Sequence, residues 1–430
     1  MRAFRLNLLV AGVTLAMVAA CTSAGTADTP TSSATTFNTV GDSVIASTTG
    51  NVAEADVRHL AVDWRVSTDT GTDVIGDVRS IAVDGSGQVW AWDNSTPALW
   101  LVAADGASIR RVGRAGSGPG EYQDVNGIAV AKDGTLVMWD DGNSRLNFYS
   151  RDGVPRANAA LTFSDCCGLP VSTDTLNRIW LTTRPRMIRS DLSAVDPRAM
   201  IKNEIGFLRY DASGTLIDTV MAPTLPGRDA PVSALQVTST DFGGAIRQVP
   251  YATYPYHAVS PFGHVISAMA RPYAIYAEAN GKHVKMTREF APPIVTEEER
   301  AQIRANIEFI MRRENRGFRW NGPEVPREKP PITGIMAGLD GRVWVQLSVP
   351  SEASDVEPTS ALSKNRPPPV NFRPTEQRWD VFEPDGRYVG RVAAPLGVDV
   401  FVTRGNQGWG VMHDANDVAA IVRLRIEPGR

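Results

Sequence analysis

Six short strand-like segments recur along the chain, and this repetition constrains the possible folds more than any single residue does. The six segments are Gln88–Asp93, Thr135–Asp140, Arg178–Leu181, His264–Ser267, Arg342–Val345 and Gly408–Val411. Four of them follow an evident turn, and the turns at Asp84 and Asp133 are 49 residues apart. A strand-turn-strand unit that recurs at such spacings is typical of a β-propeller, in which each copy forms one blade.

Turn signals inside each repeat predict four strands per blade. Asp133-Gly134 and Asp152-Gly153 are examples, and Asp-Gly favours a type I′ hairpin because both residues tolerate positive φ. The repeats together predict an all-β fold, a six-bladed β-propeller over residues 38–430. The last repeat supplies only three strands, so we expect Leu60–Val66 to add the outer strand and close the ring.

One helix is predicted near residues 296–316, within an insertion. Thr296 and Glu299 have the spacing of a capping box, and Ile303 and Ile307 lie on one apolar helical face. Gly317 is expected to end the helix. We expect this amphipathic helix to lie on the propeller.

The N-terminus has the pattern of a secretory signal peptide over residues 1–20, with Arg2 and Arg5 before an apolar run. Val18-Ala19-Ala20-Cys21 resembles a bacterial lipobox, which would make Cys21 the lipidated first residue. The alternative is ordinary cleavage after Ala20. Residues 21–37 are interpreted as the lipidated cysteine and a flexible tether. We therefore expect a lipid anchor in the cell envelope, on the outer membrane facing the periplasm or on the surface.

Charge and cysteine content limit the other expectations. The net charge is −3, and loss of Arg2 and Arg5 with the signal peptide changes it to −5, so no nucleic-acid partner is expected. Cys166 and Cys167 are adjacent, and in an oxidising envelope they would form either a vicinal disulfide or two unpaired thiols.

Long insertions fall on one predicted face of the propeller. Turns between the first and second strands and between the third and fourth strands are short, whereas the other connections carry the long segments. These segments are residues 184–204, 221–256, 291–331 and 348–378. Because insertions in repeat proteins often form the binding face, we expect an unknown protein or small ligand to bind there, near the central funnel.

The candidate ligand-binding residues on that face are of three chemical types. They are the arginines Arg184, Arg186, Arg189 and Arg271, the tyrosines Tyr256 and Tyr273, and the histidines His257 and His413. Arginines would hold an anionic ligand through paired hydrogen bonds, and tyrosines would stack on a ring or a sugar. Solvated arginines, packed tyrosines and structural histidines are the alternatives.

Several common catalytic signatures are missing from the sequence. The five histidines show no zinc-ligand spacing, and neither a Gly-x-Ser-x-Gly elbow nor a Walker loop occurs. Glycines in the segment Gly113–Tyr122 are interpreted as permitting tight turns between blades. Asp93 and Asp140 occupy equal positions in two repeats and are expected to cap the loops that follow their strands. No metal site, catalytic residue or cofactor is assigned.

The segments Ile81–Asp93, Gly113–Tyr122 and Gly127–Asp140, with Asn143-Ser144-Arg145-Leu146, resemble NHL-type six-bladed propellers. More narrowly, they resemble bacterial NHL-repeat-like and TolB-like propeller lipoproteins of uncharacterised function, which carry a Gly-x-Gly-Pro-Gly-Glu-aromatic loop. The resemblance is clear over Arg79–Pro155 and depends on strand and turn residues, so it implies the fold and no active site.

Two functions follow as expectations. The first is a membrane-tethered, extracytoplasmic propeller that binds a ligand or a protein through its insertion-rich face and is not expected to be an enzyme. The second is a hydrolase or lyase with its site in the central funnel, because six-bladed propellers also include calcium-dependent lactonases and amidating lyases. Calcium would be the cofactor of this second class only.

Overall fold

The structure is a computed structural model of the 430-residue chain. It describes residues 33–68, 74–162, 170–183, 205–226, 234–237, 245–354, 367–414 and 418–427. The predicted lipidation site Cys21 and the cysteines Cys166 and Cys167 lie outside the described residues, as do Arg184, Arg186 and Arg189.

Six antiparallel four-stranded blades form the body of the protein, which confirms the predicted fold. Blade 1 comprises Val78–Val83, Val89–Asp93, Ala98–Val102 and Ile109–Val112. Blade 2 comprises Val125–Val130, Leu136–Asp140, Arg145–Tyr149 and Ala159–Ala160. Blade 3 comprises Val171–Thr173, Ile179–Thr183, Gly206–Tyr210 and Leu216–Met221.

The second half of the ring follows the same strand order. Blade 4 comprises Pro255–Val259, Val265–Met269, Ala274–Ala279 and Lys282–Arg288. Blade 5 comprises Ile332–Ala337, Val343–Leu347, Gln377–Phe382 and Tyr388–Ala394. Blade 6 comprises Val398–Arg404, Gln407–His413, Ala419–Glu427 and, from the N-terminal region, Arg58–Val66.

The N-terminal strand closes the last blade, as the sequence predicts. Arg58–Val66 pairs antiparallel with Ala419–Glu427 along most of its length, and Leu60 lies opposite Ile426. The same strand makes a short parallel contact with blade 5, where Arg58 lies opposite Val392. The outer edge of the last blade is therefore covered by residues from the other end of the chain.

A second N-terminal element extends blade 4 and was not predicted. Ala34–Val40 and Ser43–Thr49 form a hairpin, and its second strand pairs in parallel with Lys282–Arg288. Residues 34–37, which the sequence analysis assigned to the tether, therefore lie in a strand. This hairpin is rich in threonine, a residue that favours strands, and its second strand pairs with a blade about 240 residues further along the chain.

Hydrophobic side chains fill the space between successive blades around the ring. Trp90 and Trp92 pack between blades 1 and 2, Trp139 between blades 2 and 3, and Trp180 between blades 3 and 4. Further such clusters join blades 4 and 5, 5 and 6, and 6 and 1. Each blade is thus stabilised on both faces, and burial of one such side chain contributes on the order of 2 kcal/mol.

The predicted turns occur where expected, but the geometry of the Asp-Gly turns differs from type I′. In the turn of blade 2, Gly134 N donates to Ala131 O at 2.9 Å, and only the glycine has positive φ, at 87°. This is the pattern of a type I turn followed by a left-handed glycine, which spans one more residue than a type I′ hairpin. Asp133 Oδ1 accepts a hydrogen bond from Thr135 N at 2.9 Å, so the aspartate stabilises the turn directly.

The α-helix spans Glu297–Glu314, close to its predicted bounds. Thr296 Oγ1 accepts from Glu299 N at 3.1 Å, which confirms the predicted N-cap. At the other end, Asn315 rather than Gly317 is the C-cap, and Gly317 N donates to the Asn315 side chain. Among the described residues, no helix is long and apolar enough to cross a membrane.

Candidate functional site

Three insertions on one face of the propeller pack together and share one hydrophobic core. We call this layer the cap and its side of the propeller the loop face; the opposite side, with the short turns, is the turn face. The cap contains strands Ala234–Val237 and Ala245–Gln248, helix Glu297–Glu314, and strands Ser351–Ala353 and Phe372–Pro374. The buried residues of its core are Leu235, Val249, Ala252, Ile303, Ile307, Met311, Phe318 and Val325.

Polar contacts also join the helix of the cap to its other segments. Asn306 Nδ2 donates to Pro368 O at 2.7 Å, and Asn371 N donates to Gln302 Oε1 at 2.8 Å. Arg300 Nε donates to Val325 O at 2.9 Å. Because the first two bonds connect the helix to a different insertion, the described part of the insertions forms one folded layer.

A buried ionic cluster lies at the base of the cap. The Lys329 ammonium donates to Val349 O at 2.9 Å and to Ser351 Oγ, and it lies 4.0 Å from Glu299 Oε1. Tyr251 OH donates to the same Glu299 oxygen at 2.7 Å. Burial lowers the pKa of Lys329, whereas the nearby Glu299 carboxylate raises it and so opposes this effect. Burial is also the main cause that raises the pKa of Tyr251.

This cluster was not predicted from the sequence, because the capping-box spacing pairs the Glu299 side chain with the backbone of Thr296. In a capping box the glutamate side chain returns to the backbone of the N-cap residue, but here it turns inward to Tyr251 and Lys329. Glu299 is only 2% exposed, which is unusual for a residue in the first turn of a surface helix. Its partners come from segments 48 residues before it and 30 residues after it, so no local spacing signals the contact.

Four of the predicted ligand-binding residues lie on blade 4. Tyr256 and His257 are on its inner strand, and Arg271 and Tyr273 are on the loop between its second and third strands. His257 Nδ1 is 2.7 Å from Ser267 Oγ on the neighbouring strand. Arg271 Nη2 donates to Glu328 O at 2.9 Å, and its side chain is about one-third exposed, at 34%.

The remaining predicted residue, His413, is the last residue of the second strand of blade 6 and is partly exposed. Its main-chain N donates to Gly397 O at 2.8 Å. His413 therefore lies on the loop face, but on a different blade from the other four. The structure groups the blade 4 residues and leaves His413 on a separate blade.

The hydroxyl of Tyr273 makes a hydrogen bond in the interior of the protein. It is buried, and its OH donates to Asp380 Oδ2 of blade 5 at 3.1 Å. Asp380 is fully buried and also contacts Arg288 at 3.0 Å, Arg391 at 2.9 Å and Tyr388 at 2.9 Å. This group, which we call the Asp380 cluster, joins the outer strands of blades 4 and 5.

Asp93 and Asp140 stabilise loops, but only Asp93 caps the loop after its strand as predicted, and both accept from the loop that precedes the first strand of their blade. Asp93 accepts from the main-chain N atoms of Gly76 at 2.8 Å, Asp77 at 3.0 Å and Ser95 at 3.0 Å. Asp140 accepts from Gln123 N at 3.0 Å. Both carboxylates are fully buried at the ends of the second strands of their blades, so backbone capping accounts for their recurrence.

The glycine-rich segment between blades 1 and 2 also has a structural role. Arg145 Nη2 donates to the carbonyls of Gly118 at 3.0 Å and Glu121 at 2.8 Å. Glu121 Oε2 accepts from Gly118 N at 2.8 Å, which places a carboxylate where a phosphate-binding loop would need an empty, electropositive position. Tyr122 OH is buried and bridges Leu99 N and Val112 O.

The inner strands line a cavity of about 150 Å³ in the central channel. Its lining includes Val83, Val130, Val259, Phe401 and the polar residue Thr173. Among the residues whose positions the structure describes, no group of three or more His, Cys, Asp or Glu side chains is placed to hold a metal ion.

Comparison with known proteins supports the fold. Residues 70–186 match a family model described as a 6-bladed beta-propeller. Comparison with curated proteins found no match. Among solved structures, the chain is similar to a protein from Bacteroides fragilis that is described as exported, with 12% identity and a TM-score of 0.43. This similarity covers 89% of the present chain and 99% of the other.

Two enzymes of known structure show a similar degree of likeness. A catalytically inactive virginiamycin B lyase from Staphylococcus aureus is 11% identical, with a TM-score of 0.39 and coverage of 86% of this chain and 100% of that chain. A gluconolactonase from Xanthomonas campestris is 12% identical, with a TM-score of 0.36 and coverage of 85% and 99%. Identities this low concern the fold alone. The protein is thus a six-bladed β-propeller, and its residues 70–186 are similar to a family defined by that fold.

Proposed function

We propose that the protein is an extracytoplasmic, lipid-anchored β-propeller that binds a ligand or a protein partner through the cap and the loop face. The observation that carries this proposal is the shared core of the cap, in which Leu235, Ile303 and Phe318 come from two separate insertions. A folded layer on one face of a rigid scaffold is a common arrangement for recognition.

The two faces differ in a way that supports this assignment. The turn face carries short connections such as Ala131–Thr135, whereas the cap adds a helix and two small sheets to the loop face. The predicted residues Arg271 and His413 lie at the ends of strands on the loop face. The arginines Arg184, Arg186 and Arg189 belong to an insertion on this side in sequence order, and in this proposal they attract an anionic part of the ligand.

Site-specific photo-crosslinking tests which face is used. A photoreactive amino acid replaces Ala305, which is exposed on the cap helix, or Ala107, which is exposed in a turn of blade 1. In cells that produce the full chain, we expect a discrete adduct from position 305 and none from position 107. Gel mobility and intact mass are both recorded, so that a protein partner and a small ligand are each detected.

The matched alanine positions make the result decisive. Adducts of equal yield at both positions, or an adduct at position 107 alone, would contradict binding through the cap. Absence of adducts at position 305 and at a second exposed cap position, Arg312, would also contradict it.

Metabolic labelling tests the lipid anchor separately. Cells fed an alkyne fatty acid should label the full chain and retain it in the membrane fraction, because a thioether-linked lipid with its acyl chains anchors a protein stably. Cys21→Ser should abolish the label and release the protein from membranes. Labelling that persists in the Cys21→Ser protein would refute lipidation at this cysteine.

A further inference from the structure

A groove on the turn face, between blades 2 and 3, encloses about 250 Å³. Its apolar floor is formed by Val137 and Phe148 of blade 2 and Ile179 of blade 3. Its polar rim includes Thr135, Arg156 and Asn177. An apolar surface with a few convergent polar groups has the chemical character of a small-molecule site.

Arg156 is the cation of this groove, and it has no counter-ion among the described residues. Its Nη1 donates to Thr135 Oγ1 at 2.9 Å, and its main-chain N donates to Phe148 O at 2.7 Å. These two bonds hold the residue at the rim and leave the other guanidinium nitrogens available. By contrast, Arg151, five residues earlier, is paired with Asp84 at 2.8 Å.

The rim also offers amide groups and contains a carboxylate, Asp133. Asn177 has a left-handed φ of 58°, and its Oδ1 accepts from Asp133 N at 3.3 Å. Its Nδ2 has no hydrogen-bond partner within the described part of the chain and is a donor for a ligand. The Asp133 carboxylate accepts from Thr135 N at 2.9 Å and makes no ion pair with Arg156.

The walls of the groove are fixed by contact between the two blades. A Cβ atom on Gly214, in a turn of blade 3, would lie 2.3 Å from Ala159 Cβ and 3.3 Å from the Phe148 ring of blade 2. The turn can approach blade 2 this closely only because residue 214 is glycine, with φ at 86°. The groove is therefore part of the propeller scaffold.

From these features we propose that the groove binds a small organic carboxylate whose apolar body is about the size of one ring. The carboxylate accepts hydrogen bonds from the Arg156 guanidinium and from Asn177 Nδ2. The apolar body lies over the buried floor of the groove and against the exposed side chains of Ala157 and Ala212. An ion pair with a guanidinium uses two parallel hydrogen bonds, which favours a planar carboxylate. The volume lies just below the range of pockets for drug-sized ligands, about 300 to 1,000 Å³, and this limits the ligand to one ring.

This site is separate from the one in the proposed function, because it lies on the turn face and uses neither the cap nor the arginines of the insertions. A failure of cap crosslinking would leave the groove proposal intact, and a failure of the groove proposal would leave the cap proposal intact.

The test measures binding of benzoate and 3-phenylpropionate to the purified full chain by isothermal titration and ligand-observed NMR. Benzyl alcohol serves as the uncharged probe of similar shape. We expect saturable binding of at least one carboxylate. Arg156→Gln should weaken that binding about tenfold or more, because it removes a charge-assisted hydrogen bond. Benzyl alcohol should bind at least about tenfold more weakly than the carboxylate to the unaltered protein, for the same reason.

Two control variants locate the site. Arg151→Gln, on the same blade but outside the groove, should leave affinity unchanged, whereas Gly214→Ala should reduce it by forcing the two walls apart. Circular dichroism establishes that each variant is folded. Absence of saturable binding, equal affinity of the Arg156→Gln protein, or equal affinity for benzyl alcohol would each overturn the proposal.

Discussion

At the scale of single residues, the buried charges of this propeller join its elements through ion pairs and hydrogen bonds. The carboxylate of Asp380 is fully buried and contacts Arg288, Arg391, Tyr273 and Tyr388, which belong to two blades. The Arg288 side chain is 1% exposed, and its guanidinium lies 4.2 Å from the centre of the Tyr388 ring. Such groups are tolerated only because each charge has partners.

Asp380→Asn should therefore be strongly destabilising. The substitution keeps the shape of the side chain but leaves Arg288 and Arg391 without their shared negative charge, which costs roughly 3 kcal/mol or more. The measurement is the free energy of unfolding in urea. Asp218→Asn is the matched control, because Asp218 forms an ion pair with Arg209 but is 43% exposed, and it should change stability by less than about 1 kcal/mol. Equal effects would contradict the assigned role of Asp380.

At the scale of elements, the cap is a small folded layer that is held together by its own core and by the contacts of Lys329 at its base. The helix buries Ile303, Ile307 and Met311 on the face that its sequence pattern predicts. The same helix directs Glu299 inward toward the lysine, and this contact is invisible to helical periodicity. The sequence thus predicts the helix and the insertions of the cap, but it does not predict that they pack together into one layer.

A double-mutant cycle tests the ionic attachment of the cap. Lys329→Met should destabilise the protein by about 1 to 3 kcal/mol, because it leaves the buried Val349 carbonyl and Ser351 Oγ without their donor. Adding Glu299→Gln should recover part of this loss, since the remaining amide is neutral and still accepts from Tyr251. Urea unfolding gives the coupling free energy. Arg312→Met is the control, because its pair with Glu308 is half-exposed and should contribute less than about 1 kcal/mol. Additive effects of the two buried substitutions would exclude coupling.

The lowered pKa of Lys329 predicts a further dependence on pH. Burial lowers this pKa below the ordinary value of 10.5, so the folded state carries the cost of a buried ammonium at neutral pH. As the pH rises from the lowered pKa toward 10.5, the folded protein has released this proton while the unfolded chain still holds it. The contribution of Lys329 to stability therefore increases with pH in that window.

The difference in unfolding free energy between the unaltered protein and Lys329→Met isolates this contribution from other groups that titrate in the same range. We expect the difference, unaltered minus variant, to grow between neutral pH and 10.5. A constant or decreasing difference would show that the lysine does not titrate as the buried geometry implies.

At the scale of the whole molecule, closure of the ring depends on a strand from the N-terminal region. Arg58–Val66 supplies the outer strand of blade 6, and Leu60 is buried in the core between blades 5 and 6. Val62, two residues later, is 40% exposed. The same strand therefore offers one buried position and one exposed position that can be compared.

Leu60→Ala should lower the free energy of unfolding by about 2 to 5 kcal/mol, because it removes buried methyl groups and leaves a cavity at the closure of the ring. Val62→Ala, on the same strand, should change it by less than about 1 kcal/mol. Thermal and urea unfolding of both proteins provide the comparison. A loss for Leu60→Ala as small as the one expected for Val62→Ala would show that the buried side of the closing strand does not stabilise the ring.

The number of blades, their strands, the positions of their turns and the strand that closes the ring could all be predicted from the sequence. Those features depend on local chemistry: alternation of side chains along strands, and aspartate and glycine at turns. Even there, the turn type differed, because only the glycine of each Asp-Gly pair adopts positive φ.

The remaining features emerge only from the tertiary fold. It placed the N-terminal hairpin on blade 4, turned Glu299 toward Lys329 and buried Tyr273 against Asp380. Among the described residues, it also left Arg156 without an acidic partner at a groove between blades. Each of these features joins residues that are tens to hundreds of positions apart. Local propensity and periodicity contain no information about such pairs, because their energies arise from packing and charge compensation that exist only once the ring has closed.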